Sequence, residues 1–309
     1  MSLSFFIVLP FFALVLTGYA AVRFNILERN VVSGLNKFVF FFALPALLFE
    51  KTATAPVERL LGDSVFMLAY LFASLSVFTV SWFGARALFN TNPARASVMA
   101  LGSSYANTGY MGIPLLSAAI GEWSAVPVAL ILLLDITVVI PLATTIIDMT
   151  SPDAQRRNLK AALTKSILMN PLVVTIVAGL VFAFLGWGLP GPIAGFTGLL
   201  GTAAGPVAMF TLGAVLAGQP LSHGLSEAFY VTAFKLAAHP AAIWFAMTAW
   251  GVAEDWRLAA TLAGALPVAT TLFVIAEQYR TMPERASTAV LISTAISLMS
   301  LSAMIAWLG

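Results

Sequence analysis

The sequence has 309 residues, of which 60% are hydrophobic and only 9% are charged, and its mean hydropathy is +0.96. Soluble globular proteins carry about 25% charged residues, so this composition excludes a water-soluble chain and indicates a polytopic, all-α integral membrane protein. A net charge of +2 without a basic block gives no indication of nucleic-acid binding, and the lack of cysteine excludes disulfides and thiolate chemistry.

Apolar runs separated by short polar breaks predict ten transmembrane helices. They cover residues 3–22, 31–50, 63–87, 94–118, 124–147, 164–187, 194–217, 225–251, 256–279 and 285–308. A strongly polar connection at residues 148–163 divides the chain into two five-helix units, 1–147 and 164–309. This connection is expected to be a cytoplasmic linker.

Lysine and arginine are distributed unevenly between the two sets of predicted loops. Cytoplasmic loops are enriched in these residues, so the richer side is expected to be cytoplasmic and both termini extracytoplasmic. The richer side has Arg23, Arg29, Arg86, Arg95, Arg156, Arg157, Lys160, Lys165, Arg280 and Arg285. The poorer side has Lys51, Arg59 and Arg257.

Identical residues recur at a nearly constant offset between the two halves. Coincidence is an alternative in a chain rich in Gly, Pro and Phe, but the constant offset favours an internal repeat. Because five helices is an odd number, the two units must have opposite orientations, as in many secondary transporters. The pairs are Pro10 and Pro171, Gly18 and Gly179, Pro45 and Pro206, and Phe49 and Phe210 at 161 positions, then Arg95 and Arg257, Gly102 and Gly264, and Glu122 and Glu284 at 162.

The fourth predicted helix contains a cluster that weakens helical structure at mid-membrane. It combines Asn107, Thr108, Gly109, Gly112 and Pro114 within eight residues. Glycine is conformationally permissive, and proline removes a hydrogen-bond donor from the helix. The cluster predicts an interrupted helix, with an ordinary proline kink as the alternative.

The ninth predicted helix contains Pro267, which occupies the repeat position of Tyr105. Paired interruptions in corresponding helices are the best sequence pointer to a transporter's binding site. Half-helix N-termini that meet near the midplane would bring partial positive charge to a bound carboxylate. The Asn107 amide could donate a hydrogen bond to the same group.

These motifs resemble the auxin efflux carrier family, which includes the plant PIN carriers and bacterial permeases for malate or malonate. The resemblance rests on the segments 107–116, 265–273, 277–279, 170–171 and 44–49, and it covers the whole chain. It implies a sodium/proton-antiporter-like fold of ten helices, with broken crossing helices 4 and 9. It also implies elevator-type transport and a homodimer, and the expected location is a bacterial inner membrane.

The resemblance also implies which residues bind the substrate. Asn107 would contact a carboxylate, and the turn around Pro267 would line the opposite wall. Two departures from the plant pattern, Ala106 in place of proline and Leu48 in place of serine, weaken the case for auxin itself. The expected substrate-binding set is Leu48, Tyr105, Asn107, Thr108, Gly109, Leu266, Pro267 and Val268, with helix breaks at Gly112, Pro114 and Pro267.

Two charged residues fall inside predicted membrane helices, where a charge costs at least about 2.5 kcal/mol. Asp135 is central in the fifth helix, and Lys235 lies well inside the eighth. The hypothesis is that both line the crossover and couple ions, with Asp135 as the preferred proton-linked group. The alternatives are a static ion pair, or a lysine that satisfies half-helix carbonyls.

The leading functional interpretation is a secondary transporter for a small organic anion, either a monocarboxylate or a dicarboxylate, with proton coupling as an expectation. The second interpretation is a sodium- or proton-linked cation exchanger that uses Asp135 as the ion ligand. An enzyme is not expected, because no metal-ligand set or nucleophile–base pair has a suitable spacing. No cofactor, metal or nucleic-acid partner is expected.

Overall fold

The structure is a computed structural model that describes residues 2–57, 64–150, 164, 167–218 and 224–308. Most of the predicted linker at 148–163 lies outside the described residues. Several cations of the predicted loops also lie outside them: Arg59, Arg156, Arg157, Lys160 and Lys165.

The described chain is helical, apart from turns and one isolated antiparallel bridge. The first half contains α1 (Ser2–Arg23), α2 (Arg29–Phe38), α3 (Leu44–Ala53), α4 (Ser64–Phe89), α5 (Pro93–Ser104), α6 (Ile113–Ile120), α7 (Ala125–Leu134) and α8 (Ile140–Met149). The second half contains α9 (Pro171–Phe184), α10 (Gly191–Ala217), α11 (Leu225–Ala233), α12 (His239–Ala249), α13 (Glu254–Gly264), α14 (Thr271–Gln278) and α15 (Pro283–Leu308).

Six helical stretches of the described chain are long and apolar enough to cross a membrane, by length and composition. The remaining predicted spans are present as helices that are shorter, interrupted or more polar. The six are Phe5–Arg23, Asn30–Ala53, Val65–Phe89, Glu122–Met149, Gly191–Ala217 and Pro283–Leu308, and shorter apolar helices cover Thr108–Ile120 and Pro171–Phe184. Together they confirm an all-α integral membrane protein.

Four π-helical turns of the described residues lie just before a proline. The turns are Val39–Ala43, Thr108–Gly112, Asp135–Val139 and Phe234–Ala238. They precede Pro45, Pro114, Pro141 and Pro240, and each begins six residues before its proline. Proline has no N–H and its ring clashes with the carbonyl four residues earlier, so the preceding turn widens. This local effect gives Asp135 and Lys235 their positions on the widened turns.

The helices pack in two groups that each draw on both halves of the chain. In the first group, α1, α3 and α10 pack on one another and α9 packs on α3. The second group contains α4, α5, α7, α8 and α11–α15, with α12 packed between α4 and α13, and its α15 also packs on α1 of the first group. The wall between the groups contains α6 and the π turn that precedes it.

Glycine permits two close backbone approaches within the first group. A side chain at Gly18 in α1 would collide with the carbonyl oxygen of Phe210 in α10. A side chain at Gly179 in α9 would come within 2.9 Å of the carbonyl oxygen of Phe49 in α3. Helices of membrane proteins commonly use small residues in this way, because van der Waals contact replaces the hydrophobic effect between them.

Candidate functional site

Two helix interruptions meet at the centre of the molecule. Residues 105–107 separate α5 from the π turn at Thr108–Gly112, and residues 265–270 separate α13 from α14. An antiparallel bridge pairs Ala106 with Val268, and the N–H of Asn107 donates to the carbonyl of Pro267 at 3.0 Å. The N–H of Val268 donates to Ser293 Oγ in α15 at 3.1 Å. Each interruption thus satisfies backbone groups of the other or of a neighbouring helix, as buried backbone requires.

Four helix ends converge where the two interruptions meet. The C-terminal ends belong to α5 and α13, and the N-terminal ends belong to the π turn at Thr108 and to α14 at Thr271. Helix N-termini carry partial positive charge and C-termini carry partial negative charge. The crossing therefore offers poles of both signs without a charged side chain.

Asn107 has an unpaired amide donor at this crossing. Its side chain is 3% exposed and its Nδ2 has no hydrogen-bond partner. Its backbone carbonyl accepts from the N–H groups of Met111 at 3.1 Å and Gly112 at 3.0 Å, which fixes it at the start of the π turn. A buried amide without a partner costs about 1–3 kcal/mol, so the position favours a ligand that accepts a hydrogen bond.

A cavity of about 580 Å³ lies against the crossing. Tyr105, Asn107 and Gly109 of the expected binding set line it. The other expected residues, Leu48, Thr108, Leu266, Pro267 and Val268, are buried but lie outside its lining. Thr108 Oγ1 resembles Asn107 Nδ2 in having no partner.

Most of the cavity wall is apolar or aromatic, with polar groups at separate points. Tyr110 donates to Asn36 Oδ1 across the wall, and Tyr279 donates to Asp148 Oδ2 at 3.1 Å near one end. No Lys or Arg of the described chain is in the lining. An anion bound at the crossing would meet neutral donors and helix termini, whereas Asp148 places an acidic group in the same wall, bonded to Tyr279. Sequence reasoning missed Asn36, Tyr110 and Asp148, since no local pattern distinguishes them.

A second cavity of about 460 Å³ lies between α1, α3, α6 and α10. Pro114, one of the expected helix-break residues, lines it, whereas Gly112 packs against Leu266 at the crossing. Its polar wall contains an ion pair between Lys51 Nζ and Glu122 Oε2 at 2.8 Å. This pair joins α3 of the first packing group to the turn after α6.

Asp135 is fully buried and bonded to a residue that the sequence did not single out. The Tyr70 hydroxyl on α4 donates to Asp135 Oδ1 at 2.8 Å, and Asp135 Oδ2 has no partner. Tyr70 also packs edge-on against the ring of His239, with centroids 6.3 Å apart. The widened turn at Asp135 positions this carboxylate in the interior against Tyr70 of α4.

Lys235 is also fully buried, and its contacts link the crossing to the interior. Its ammonium donates to the carbonyl of Gly264, the last residue of α13, and lies 2.8 Å from His239 Nδ1. A lysine ammonium only donates, so Nδ1 accepts and the His239 proton is on Nε2. That N–H then donates to Ser74 Oγ at 3.0 Å.

No ion pair joins Asp135 and Lys235, which both belong to the part of the chain that the structure describes. Each bonds to a different neighbour, although they are near enough for an electrostatic interaction. The bond from Lys235 to Gly264 is the contact expected if a lysine satisfies half-helix carbonyls. Tyr70 and Ser74, one helical turn apart on α4, are the partners that sequence analysis missed.

Comparison with known proteins assigns the chain to a family of membrane transporters. Residues 4–305 match the sequence profile of the family described as "Membrane transport protein". A "Putative malonate transporter" of Rhizobium meliloti is 32% identical over 301 residues, which are 97% of this chain and 94% of that protein. An "Uncharacterized transporter YfdV" of Escherichia coli K12 is 27% identical, over 90% of this chain and 89% of that protein.

A plant relative matches over a shorter segment. "Auxin efflux carrier component 2" of Arabidopsis thaliana is 29% identical over 140 residues, which are 43% of this chain and 22% of that protein. The profile match and the relatives describe transporters rather than enzymes. The chain therefore belongs to the auxin efflux carrier family and is a multi-pass membrane transporter.

Proposed function

We propose that the protein is a secondary active transporter that moves a small organic anion by binding its carboxylate at the crossing of the two helix interruptions. The observation that carries this proposal is the unpaired Nδ2 of Asn107, buried beside two helix N-termini on the wall of a large cavity. Charge-assisted hydrogen bonds to a carboxylate are about twice as strong as neutral ones. A carboxylate therefore suits this donor better than a neutral ligand does.

We infer ten membrane-spanning segments in two inverted repeats, 1–147 and 164–309. Gly18 approaches Phe210 and Gly179 approaches Phe49, and both the glycines and the phenylalanines are separated by 161 positions. The same contact therefore occurs twice, with the two halves exchanged. The bridged residues Ala106 and Val268 are themselves 162 positions apart, so a two-fold axis through the crossing would relate them to each other. These relationships support an antiporter-like arrangement.

The proposed movement is of the elevator type, with the second packing group carrying the crossing past the first. Two cavities on either side of the π turn support it, because alternating access requires a route to each side. Asp148 and Tyr279 at the larger cavity adjoin the loops rich in Lys and Arg. The larger cavity would then face the cytoplasm of a bacterial cell, with both ends of the chain outside. A homodimer is proposed from the family resemblance.

Proton coupling through Asp135 is part of the proposal. The carboxyl lies in the interior with one bonded and one free oxygen, and Tyr70, His239 and Ser74 form a polar group between it and Lys235. Lys235 reaches the crossing through Gly264. A change in the charge of Asp135 would act on Lys235 and through it on the end of α13. Protonation and anion binding would be linked in this way.

The experiment that tests the binding site is uptake of radiolabelled malonate into proteoliposomes, with and without a pH gradient. Asn107→Ala should weaken malonate binding by about tenfold to a hundredfold, the value of a hydrogen bond to a charged group. Asn30→Ala, at an exposed position, should match the wild type. Equal uptake by the two variants would refute the site.

The coupling proposal is tested separately with Asp135→Asn, which keeps the acceptor for Tyr70 but cannot ionise. Uptake by this variant should no longer respond to the pH gradient. An unchanged response would contradict the role of Asp135. A stabilising thermal shift with sodium alone, lost in Asp135→Asn, would instead support the cation-exchanger alternative.

A further inference from the structure

Thr211 in α10 has an unsatisfied hydroxyl in the wall of the larger cavity. Its side chain is completely buried and Oγ1 has no hydrogen-bond partner. Threonines in helices usually donate to the carbonyl one turn earlier. Thr197 and Thr202 of the same helix do so, at 2.9 Å to Ile193 and 2.8 Å to Gly198. The Thr211 hydroxyl is therefore an exception on its own helix.

Thr211 is distant from the crossing in sequence but close to it in the structure. Its helix packs against the π turn that Asn107 begins, and both residues line the same cavity. Asn107 approaches the cavity from the crossing, and Thr211 approaches it from the first packing group. Each of the two walls therefore contains one buried polar group without a partner in the chain.

We propose that Thr211 is a substrate-binding residue that recognises a second polar group of the transported anion, in addition to the carboxylate at Asn107. This inference rests on the proposed function and narrows its substrate class to carboxylates with a further carboxyl or hydroxyl group. A hydroxyl can donate and accept, so it suits either group. No described Lys or Arg lines the cavity, and its one described acidic residue, Asp148, accepts a hydrogen bond from Tyr279, so the partners for a second polar group are neutral groups such as the Thr211 hydroxyl.

Thr144 provides a matched control within the same cavity. It also lines the wall, but its hydroxyl donates to the carbonyl of Ile140 at 3.0 Å. Thr144→Val and Thr211→Val remove the same atoms from the same cavity. Only Thr211→Val removes a hydroxyl that has no partner in the chain. Thr211→Ser keeps that hydroxyl and should bind like the wild type.

The test measures the affinity of purified protein for malonate and for propionate, which have three carbons each but two carboxyl groups and one. Thr211→Val should weaken malonate binding by about tenfold to a hundredfold, the same range as for Asn107 because the second carboxylate is also charged, and leave propionate unchanged. Thr144→Val should change neither. Equal affinities in Thr211→Val and Thr144→Val would overturn the assignment, and so would an equal loss for both ligands.

The remaining outcomes separate this inference from the proposed function. If the wild type binds neither acid and none of a panel of other carboxylates, the proposed function fails and the inference fails with it. If the wild type binds malonate and Asn107→Ala abolishes binding while Thr211→Val does not change it, only the inference is refuted. If Thr211→Val does not fold, Thr211→Ala and Thr211→Ser replace it. The ratio of malonate affinity to propionate affinity is then compared between these two variants, and equal ratios would refute the inference.

Discussion

The backbone N–H of Asn107 donates to the carbonyl of Pro267 at 3.0 Å, although the two residues lie in opposite halves of the chain. This bond and the bridge between Ala106 and Val268 join the two helix interruptions directly. A displacement of one interruption must therefore displace the other or break the bond. The crossing is expected to respond to substitution as one unit.

Ser293→Ala should destabilise the crossing from outside it. The substitution leaves the N–H of Val268 without its acceptor, and a buried unpaired N–H costs about 1–3 kcal/mol. Thermal unfolding in detergent should show a lower midpoint than in the wild type. Ser302→Ala, in the same helix but bonded only to Leu298, is the control and should have a smaller effect. Equal midpoints for the two variants would argue against the bond.

Lys235→Met should lower stability and substrate affinity together. It leaves the carbonyl of Gly264 and Nδ1 of His239 without a donor, at a cost of about 1–3 kcal/mol for each unpaired group. Thermal unfolding and malonate binding both measure this effect. Lys37→Met, at an exposed position, should leave both measurements unchanged. If Lys235→Met were as stable as the wild type, the hydrogen bond from Lys235 to the carbonyl of Gly264 would not contribute to stability.

Tyr70→Phe should shift the pH at which uptake changes without abolishing the pH dependence. The substitution removes the donor to Asp135 Oδ1 but leaves the carboxyl able to ionise. Hydrogen bonding to one protonation state changes the balance between the two states. A pH profile of malonate uptake detects the displacement. Tyr19→Phe, at a residue 40% exposed, should reproduce the wild-type profile. Coincident profiles for all three proteins would remove Tyr70 from the proposed coupling.

Gly205→Ala should slow transport more than it weakens binding. A methyl group at Gly205 in α10 would lie 2.8 Å from Cβ of Pro114, across the boundary between the two packing groups. Overpacking of this kind costs about 1–3 kcal/mol, and a boundary that moves as in the proposed elevator cycle would meet it in each cycle. Uptake rates and malonate affinities measured on the same preparations separate the two effects. Gly195→Ala, where a methyl group meets nothing within 4 Å, should transport normally.

Local sequence was enough to predict the two helix interruptions. Asn107, Gly109 and Pro114, and separately Pro267, weaken a helix wherever they occur, so the breaks follow from residue type alone. The repeat pairs Gly18 and Gly179, and Phe49 and Phe210, were also visible as identities at one offset. The sequence did not show that Gly18 contacts Phe210 and Gly179 contacts Phe49, because an offset in sequence does not say which helices touch.

The sequence by itself determined that the chain lies in a membrane, where two of its helices break, and that Asp135 and Lys235 are buried. Composition, helix-breaking residues and apolar surroundings are properties of short segments. Only the tertiary structure decided that Lys235 bonds to Gly264 and His239 rather than to Asp135. It also decided that Tyr70 and Thr211 belong to the interior polar groups. These contacts join helices that are distant in the chain. They depend on how whole helices pack, and the residue pattern of one helix does not identify the helices that pack against it.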